Sequence, residues 1–309
     1  MVPGLRSHNI SSICAGNELS AAVSATGDLF VWGAVRVGFF RSSRYESMGG
    51  HSFLGQQRTG SLIACGENHI LIVTTTGTPH AWGVNEYHRL GTISHGANVV
   101  GTPIRITLPH SRRVVRVAAG NMHSFAIDSI GDVNVRGQIG IGIGEGGYGK
   151  IIETPRRVST MSKGSPILAG ARVTDIACGE FHSVFLLDDG RVFACGTYDS
   201  GQLGLGRVAS VNKMHNPRIR DSNAVPKEVK FPFPLCEPER IIGIEADSRR
   251  SMAWTESHLF AWGMGNVGEL GLGPTVNEAF QPTLVDLAGW KPVQVSCGGQ
   301  HTLALFTRN

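Results

Sequence analysis

Apolar residues in this chain come in short, nearly continuous runs broken by glycine-centred turns, without the three-to-four spacing of an amphipathic helix. Ser183–Leu187 and Arg191–Cys195 bracket the turn Asp188-Asp189-Gly190. Run, turn and run read as a β-hairpin. Near-continuous apolarity, instead of strict alternation, fits strands covered on both faces.

The same unit recurs along the chain. Four segments align without gaps: Ala15–Gly33, Cys65–Gly83, Ala119–Gly137 and Cys178–Gly196. A fifth, Ala246–Gly263, is one residue shorter in its turn, and a sixth, Cys297–Asn309, covers half the unit. Each opens on a glycine (Gly16, Gly66, Gly120, Gly179, Gly298), with Asp247 in that place in the fifth, at spacings of 50 to 68 residues. Gly27, Gly77, Gly131 and Gly190 supply the positive φ that tight hairpin turns need. A second glycine motif follows the hairpin: GQLGLG at Gly201–Gly206, GELGLG at Gly268–Gly273, GQIGIG at Gly137–Gly142 and a worn HRLG at His88–Gly91. Proline-containing stretches around Pro103 and Pro155 then lead to the next unit.

A lone hairpin is marginal in water, so each unit must stack on its neighbour. The predicted fold is all-β: a β-propeller with about four strands per blade, the closed form that leaves only short protected edges. One domain is expected over 1–309, with repeat cores near 13–33, 63–83, 117–137, 176–196, 244–263 and 295–307, and long loops at 34–58 and 207–240. The 207–240 stretch holds Pro217, Pro226, Pro232, Pro234 and Pro238, which rule out helix and inner strand and predict an exposed loop.

Composition agrees. The chain has 309 residues, 41% of them hydrophobic and 17% charged, as in a folded protein; its 41 glycines are about twice the usual share. The net charge of +4 permits acidic partners without pointing to nucleic acid. The six cysteines form no C-x-x-C pair; Cys65, Cys178 and Cys297 each precede a glycine and read as free, buried strand thiols suited to a reducing nuclear or cytoplasmic setting. No signal peptide is read at the N-terminus, and no apolar run approaches the roughly 20 residues of a membrane span.

Gly142, Gly144 and Gly147 spell the dinucleotide fingerprint, and Gly144–Lys150 most of a P-loop. Ile151 stands where a P-loop needs Ser or Thr, and Pro155 stops any helix that would meet phosphate. The stretch is a repeat turn extended by glycines. No cofactor is expected.

Leading glycine, two variable residues, histidine, an apolar strand, Trp-Gly and GQLGLG together resemble the regulator of chromosome condensation (RCC1-like) repeat family, from about Ile13 to Phe306. The family usually has seven blades; five full units and a half predict six here. The resemblance implies a protein-binding propeller, most specifically a guanine-nucleotide exchange factor or regulator of a Ran-type small GTPase. The alternative it implies is a non-catalytic scaffold for chromatin, ubiquitin-pathway or cytoskeletal partners.

His69, His123, His182 and His301 share one place in the repeat, and Trp32, Trp82 and Trp262 another. Identical places in different blades lie too far apart for four histidines to share an ion, so both columns read as structural and no metal is expected. The tips between glycine and histidine offer carboxylates at Glu18, Glu67, Glu180 and Asp247. In the family's exchange factor such tips engage the GTPase, and a wedge after a Trp-Gly helps open the nucleotide site. Val37, Gly38, Phe39 and Phe40 are either that wedge or an outer strand. Between Glu86 and Asp128 the charged residues are all basic, including Arg89, Arg105, Arg112, Arg113 and Arg116, which makes a positive patch or a solvated face. The N-terminal tail carries only Arg6, so a basic tail for chromatin is not supported.

Overall fold

The structure of the protein, a computed structural model, describes residue 5 and residues 8–17, 19–33, 59–85, 88–90, 99–138, 151–197, 199–207, 222–232 and 239–308. The chain falls into two compact units: Met1–Gln138 with Ile151–Arg157, and Ile139–Lys150 with Val158–Asn309.

The first unit holds three antiparallel sheets. The first has β1 (Ile10–Ala15), β2 (Leu19–Ser24) and β3 (Leu29–Gly33). The next two have four strands each: β4 (Thr59–Cys65), β5 (His69–Thr74), β6 (Pro79–Val84) and β7 (Val99–Arg105), then β8 (Val114–Ala119), β9 (His123–Asp128), β10 (Val133–Gln138) and β11 (Ile151–Arg157). The second unit holds β12 (Val173–Cys178), β13 (His182–Leu187), β14 (Val192–Thr197) and β15 (Ser222–Val229), then β16 (Gly243–Asp247), β17 (Arg250–Trp254), β18 (Leu259–Met264) and β19 (Glu278–Leu284). A final two-stranded sheet pairs β20 (Lys291–Gly298) with β21 (His301–Thr307). The described residues thus form six antiparallel sheets, one per repeat.

The expected hairpins are the second and third strands of the first five sheets, and β5, β9, β13 and β14 are buried along their whole length. Within each unit the first strand of one repeat covers the hairpin of the repeat before it. Leu71 packs with Val117 and Ala119, and Val184 and Leu186 with Ile244 and Ala246. Trp82 shares a core with Leu19, Ala21 and Val23 of the preceding repeat.

The proline-containing connections turn out to be outermost strands: Pro103 lies in β7, Pro155 in β11, Pro226 in β15 and Pro282 in β19. Proline lacks the donor a central strand needs, so an edge is where it is tolerated. Each of these strands slips register at one place, between Ala81 and Gly83, Val135 and Gly137, Ala194 and Gly196, and Ala261 and Gly263. Part of the 207–240 stretch is therefore strand β15, while the 34–58 stretch and the glycine run 140–150 lie outside the described residues. Directly after Lys150 comes β11, a strand and not the helix a phosphate loop requires.

One cysteine expectation is corrected. Cys14 and Cys65 form a disulfide, their Cα atoms 5.7 Å apart. Cys65 is therefore not a free thiol. The two occupy neighbouring columns of the repeat, and stacking of β1 beside β4 brings them together. Cys178, Cys195 and Cys297 are free. Burial pushes all three thiols up, Cys297 to about 12, so they stay protonated and unreactive at neutral pH.

Candidate functional site

Each tip is a four-residue turn from the first strand to the second, built the same way in successive repeats. The leading glycine N–H donates to the carbonyl of the residue three places on: Gly16 to Leu19 (2.7 Å), Gly66 to His69 (2.8 Å), Gly120 to His123 (2.9 Å) and Gly179 to His182 (3.0 Å). The strand after Trp-Gly then clamps the second tip residue: Val84 N–H donates to Asn68, Thr197 to Phe181 and Met264 to Arg249, at 2.8, 2.9 and 2.9 Å.

Glycine is required because successive tips nearly touch. A Cβ at Gly16 would overlap the carbonyl oxygen of Gly66, and one at Gly66 that of Gly120. At Gly196 (φ +119°) a Cβ would run into the carbonyl oxygen of Phe181.

The histidine column locks neighbouring repeats behind the tips. His69 Nε2 lies 2.7 Å from Ser124 Oγ, and Ser124 donates its proton to the Arg89 carbonyl at 3.1 Å. His182 Nε2 lies 2.8 Å from Ser251 Oγ, which donates to the Gln202 carbonyl at 3.0 Å. A hydroxyl that gives away its only proton must accept from the ring, so the network assigns the proton to Nε2 in both histidines. Trp262 Nε1 donates to the same Gln202 carbonyl at 2.9 Å. The GQLG loop is thereby fastened to the following repeat. His123 is buried as well, and burial pushes its pKa down to about 4. His301, with no described sheet beyond it, is exposed. Trp82 and Trp262 are buried and Trp32 half-buried.

Arg250 takes the histidine place in the fifth repeat. Its guanidinium reaches across to the carbonyls of Gly298, Gly299 (3.2 Å) and His301 (2.7 Å). Longer and with five donors, arginine replaces one hydrogen bond by three.

The tip carboxylates differ in setting. Glu67 faces Arg89, which is buried, at 3.6 Å, and Arg89 also donates to the Asn121 carbonyl of the next tip at 3.0 Å. Glu180 faces Arg249 across the repeat junction at 3.5 Å. Its backbone N–H donates to the Ser248 carbonyl at 2.8 Å. Both keep about 30% of their side chains exposed (31% and 29%), enough to meet a partner. Asp247 accepts from the Ser248 N–H at 2.6 Å. Burial, with Glu180 nearby, raises its pKa against the pull of Arg250 and His301. Glu18 and Val37–Phe40 lie outside the described residues. The arginine-rich stretch is partly spent on internal pairs: Arg89 on Glu67, and Arg112 on Asp128 (3.1 Å) and Asp132 (3.0 Å). Among the described residues no three His, Cys, Asp or Glu side chains are grouped as metal ligands.

Sequence reasoning missed Glu245. It stands on β16 in a column otherwise filled by Cys14, Ala64, Ala118, Ala177 and Ser296, and a lone acid among small residues was the available signal. The residue is half-buried, and its carboxyl accepts from the Cys297 N–H at 3.4 Å. Burial, with Asp175 and Asp247 beside it, pushes its pKa to about 8.

Residues 2–304 match the profile of the RCC1-like domain. Protein pim1 of Schizosaccharomyces pombe is 28% identical over 98% of this chain and 56% of its own length. The guanine nucleotide exchange factor SRM1 of Saccharomyces cerevisiae is 24% identical over 98% of this chain and 63% of its own. The chain thus spans about three fifths of these relatives (56% and 63%). Among solved structures, Prp20p of Saccharomyces cerevisiae, whose crystal structure was described with its binding properties to Gsp1p and histones, superposes with a TM-score of 0.79 at 22% identity, covering 100% of this chain and 71% of that one. The fold is that of an RCC1-type β-propeller.

Proposed function

This chain belongs to the RCC1-like domain family, and on that premise we propose that it is a protein-binding propeller acting as an exchange factor or regulator of a Ran-type small GTPase in the nucleus or cytoplasm. The observation that carries this reading is the whole-chain match to a family that includes a named exchange factor. The tip construction supports it, since it projects a part-exposed carboxylate at Glu67 and another at Glu180. Glu18, Glu67, Glu180 and Asp247 would form the contact set, with Val37–Phe40 as the wedge.

An exchange factor breaks no covalent bond. It binds the nucleotide-free GTPase more tightly than the loaded one, and that difference speeds GDP release. Glu180 suits such work because its part-exposed pair with Arg249 is weak and a basic partner can displace it. Glu67 keeps part of its side chain exposed while Arg89 behind it is buried. The experiment is release of fluorescent GDP from Ran with and without micromolar protein. Acceleration is expected, and an unchanged rate ends the exchange reading.

A second reading is a scaffold without exchange activity. It is favoured by the fact that both carboxylates already have arginine partners within the fold. Capture of stable partners irrespective of added nucleotide would support it over exchange.

A further inference from the structure

The hairpin turns lie at the other end of the sheets from the tips, and their charges differ between repeats. Residues 24–28 carry Asp28, 128–132 carry Asp128 and Asp132, and 187–191 carry Asp188 and Asp189, while the shortened fifth turn carries Glu256. The second turn, 74–78, has no acid and reads Thr-Thr-Thr-Gly-Thr. In the third and fourth turns the acids meet arginine. Asp128 and Asp132 hold Arg112 at 3.1 and 3.0 Å, and Asp188 faces Arg172 at 3.3 Å.

An arginine lies on the second turn as well. A Cβ at Gly77 would overlap Arg113 Cγ, just as one at Gly190 would overlap Arg240 Cγ in the fourth repeat. Arg240 is satisfied there: it donates to the Asp188 carbonyl and stands close enough to the Asp188 carboxylate to lower its pKa. Arg113 has no such acid. Among the described residues neither Arg113 nor Arg105 has a carboxylate within ion-pair distance, and both are exposed.

These two arginines line a cavity of about 100 Å³ between the second turn, the end of β7 and the approach to β8. It has room for several water molecules and so for a phosphate group. The hydroxyl residues Thr76, Thr78 and Ser111 also line it, and its lining includes no Asp, Glu, Phe, Tyr or Trp. Backbone bonds fix its frame, with Val114 N–H donating to the Gly77 carbonyl and Ile106 N–H to the Pro79 carbonyl, both at 2.9 Å. Arg112, anchored on Asp128 and Asp132, steadies the segment that carries Arg113.

We propose that this cavity binds the phosphate of a phosphorylated side chain on a partner protein. Such a group brings about two negative charges and three acceptor oxygens. It supplies the anion that this turn alone lacks, and it matches guanidinium and hydroxyl donors. A nucleic acid fits less well: its bases would find no ring to stack on, and its backbone needs a longer row of cations than two free arginines. The cavity stands at the far end of β5 from the Glu67 tip, so neither arginine belongs to the tip contact set.

Fluorescence anisotropy on the full chain tests this, with a labelled pool of peptides that carry a central phosphoserine between random flanks. Saturable binding is expected, about tenfold tighter or more than for the unphosphorylated pool, and weakened by added salt. Arg105→Gln and Arg113→Gln should each weaken it about tenfold. Thr78→Asp, which gives this turn the carboxylate found at Asp28 and Asp132, should abolish it. Thermal unfolding matched to the parent shows that the variants fold. Equal affinity for the two pools overturns the proposal, as does affinity that the substitutions leave unchanged. So does displacement by inorganic phosphate at the same concentration as by unlabelled phosphopeptide, which would make a free anion the ligand. Tighter binding of mixed-sequence single-stranded DNA through the same arginines would overturn it in favour of a nucleic acid.

Discussion

At the scale of single residues, Glu67 and Glu180 are tip carboxylates held by arginines of the fold, Arg89 and Arg249. Glu67→Lys with Glu180→Lys should abolish binding of the GTPase. Glu180→Lys alone should weaken it while lowering stability by only about 1 kcal/mol, because the part-exposed pair with Arg249 contributes little. Glu67→Lys sets a like charge against buried Arg89 and costs more. Binding and unfolding that both stay as they were would remove these residues from the contact surface. The buried ionisable groups set the pH dependence. His123, neutral in the fold with a pKa of about 4 against an ordinary 6.5, contributes stability that is full above pH 6.5 and lost as pH falls toward 4, about 3 kcal/mol in all. Glu245, raised from 4.5 to about 8, acts the other way: its contribution is full below pH 4.5 and lost as pH rises through 8. Urea unfolding from pH 4 to 8 should show a loss on the acid side that His123→Gln removes and one on the alkaline side that Glu245→Gln removes. Identical profiles for parent and variants would contradict both. The acids at the tips were visible in the sequence because the repeat places them. Their arginine partners were not, since Arg89 comes from the worn HRLG motif and Arg249 from the next tip, and only folding brings either near.

At the scale of elements, turn glycines and apolar runs located the hairpins, because a period and a backbone requirement are both local properties. The outer strands were harder. Their prolines read as loop, and only the register slips opposite Trp82, Arg136, Cys195 and Trp262 show how a strand such as β15 pairs at an edge despite Pro226. The Cys14–Cys65 bond was hidden for the same reason, as it depends on the stacking of β1 beside β4. The Trp-Gly position makes a sharp prediction. In Gly196→Ala the new methyl meets the Phe181 carbonyl at positive φ, so the variant should lose about 2–3 kcal/mol. Gly164→Ala, also at positive φ (+88°) but with open space around it, should cost about 1 kcal/mol. Equal losses in thermal unfolding would mean that backbone conformation and not close approach decides the Trp-Gly glycine.

At the scale of the whole molecule, the architecture was largely present in the repeat, since hairpins too small to stand alone must shelter one another. The leading histidines show how that sheltering is keyed: His69 and His182 each hand a proton to a serine of the next repeat, which hands its own to a loop carbonyl. Function is less legible at this scale, because one fold can serve many partners and the tips carry few charges. What separates an exchange factor from a scaffold is a difference between two affinities, so the most direct measurement is calorimetric titration of this protein against Ran stripped of nucleotide and against Ran loaded with GDP. Tighter binding to the stripped form, lost on charge reversal at Glu67 and Glu180, is the expected result; equal affinity for the two forms, or none for either, would contradict it.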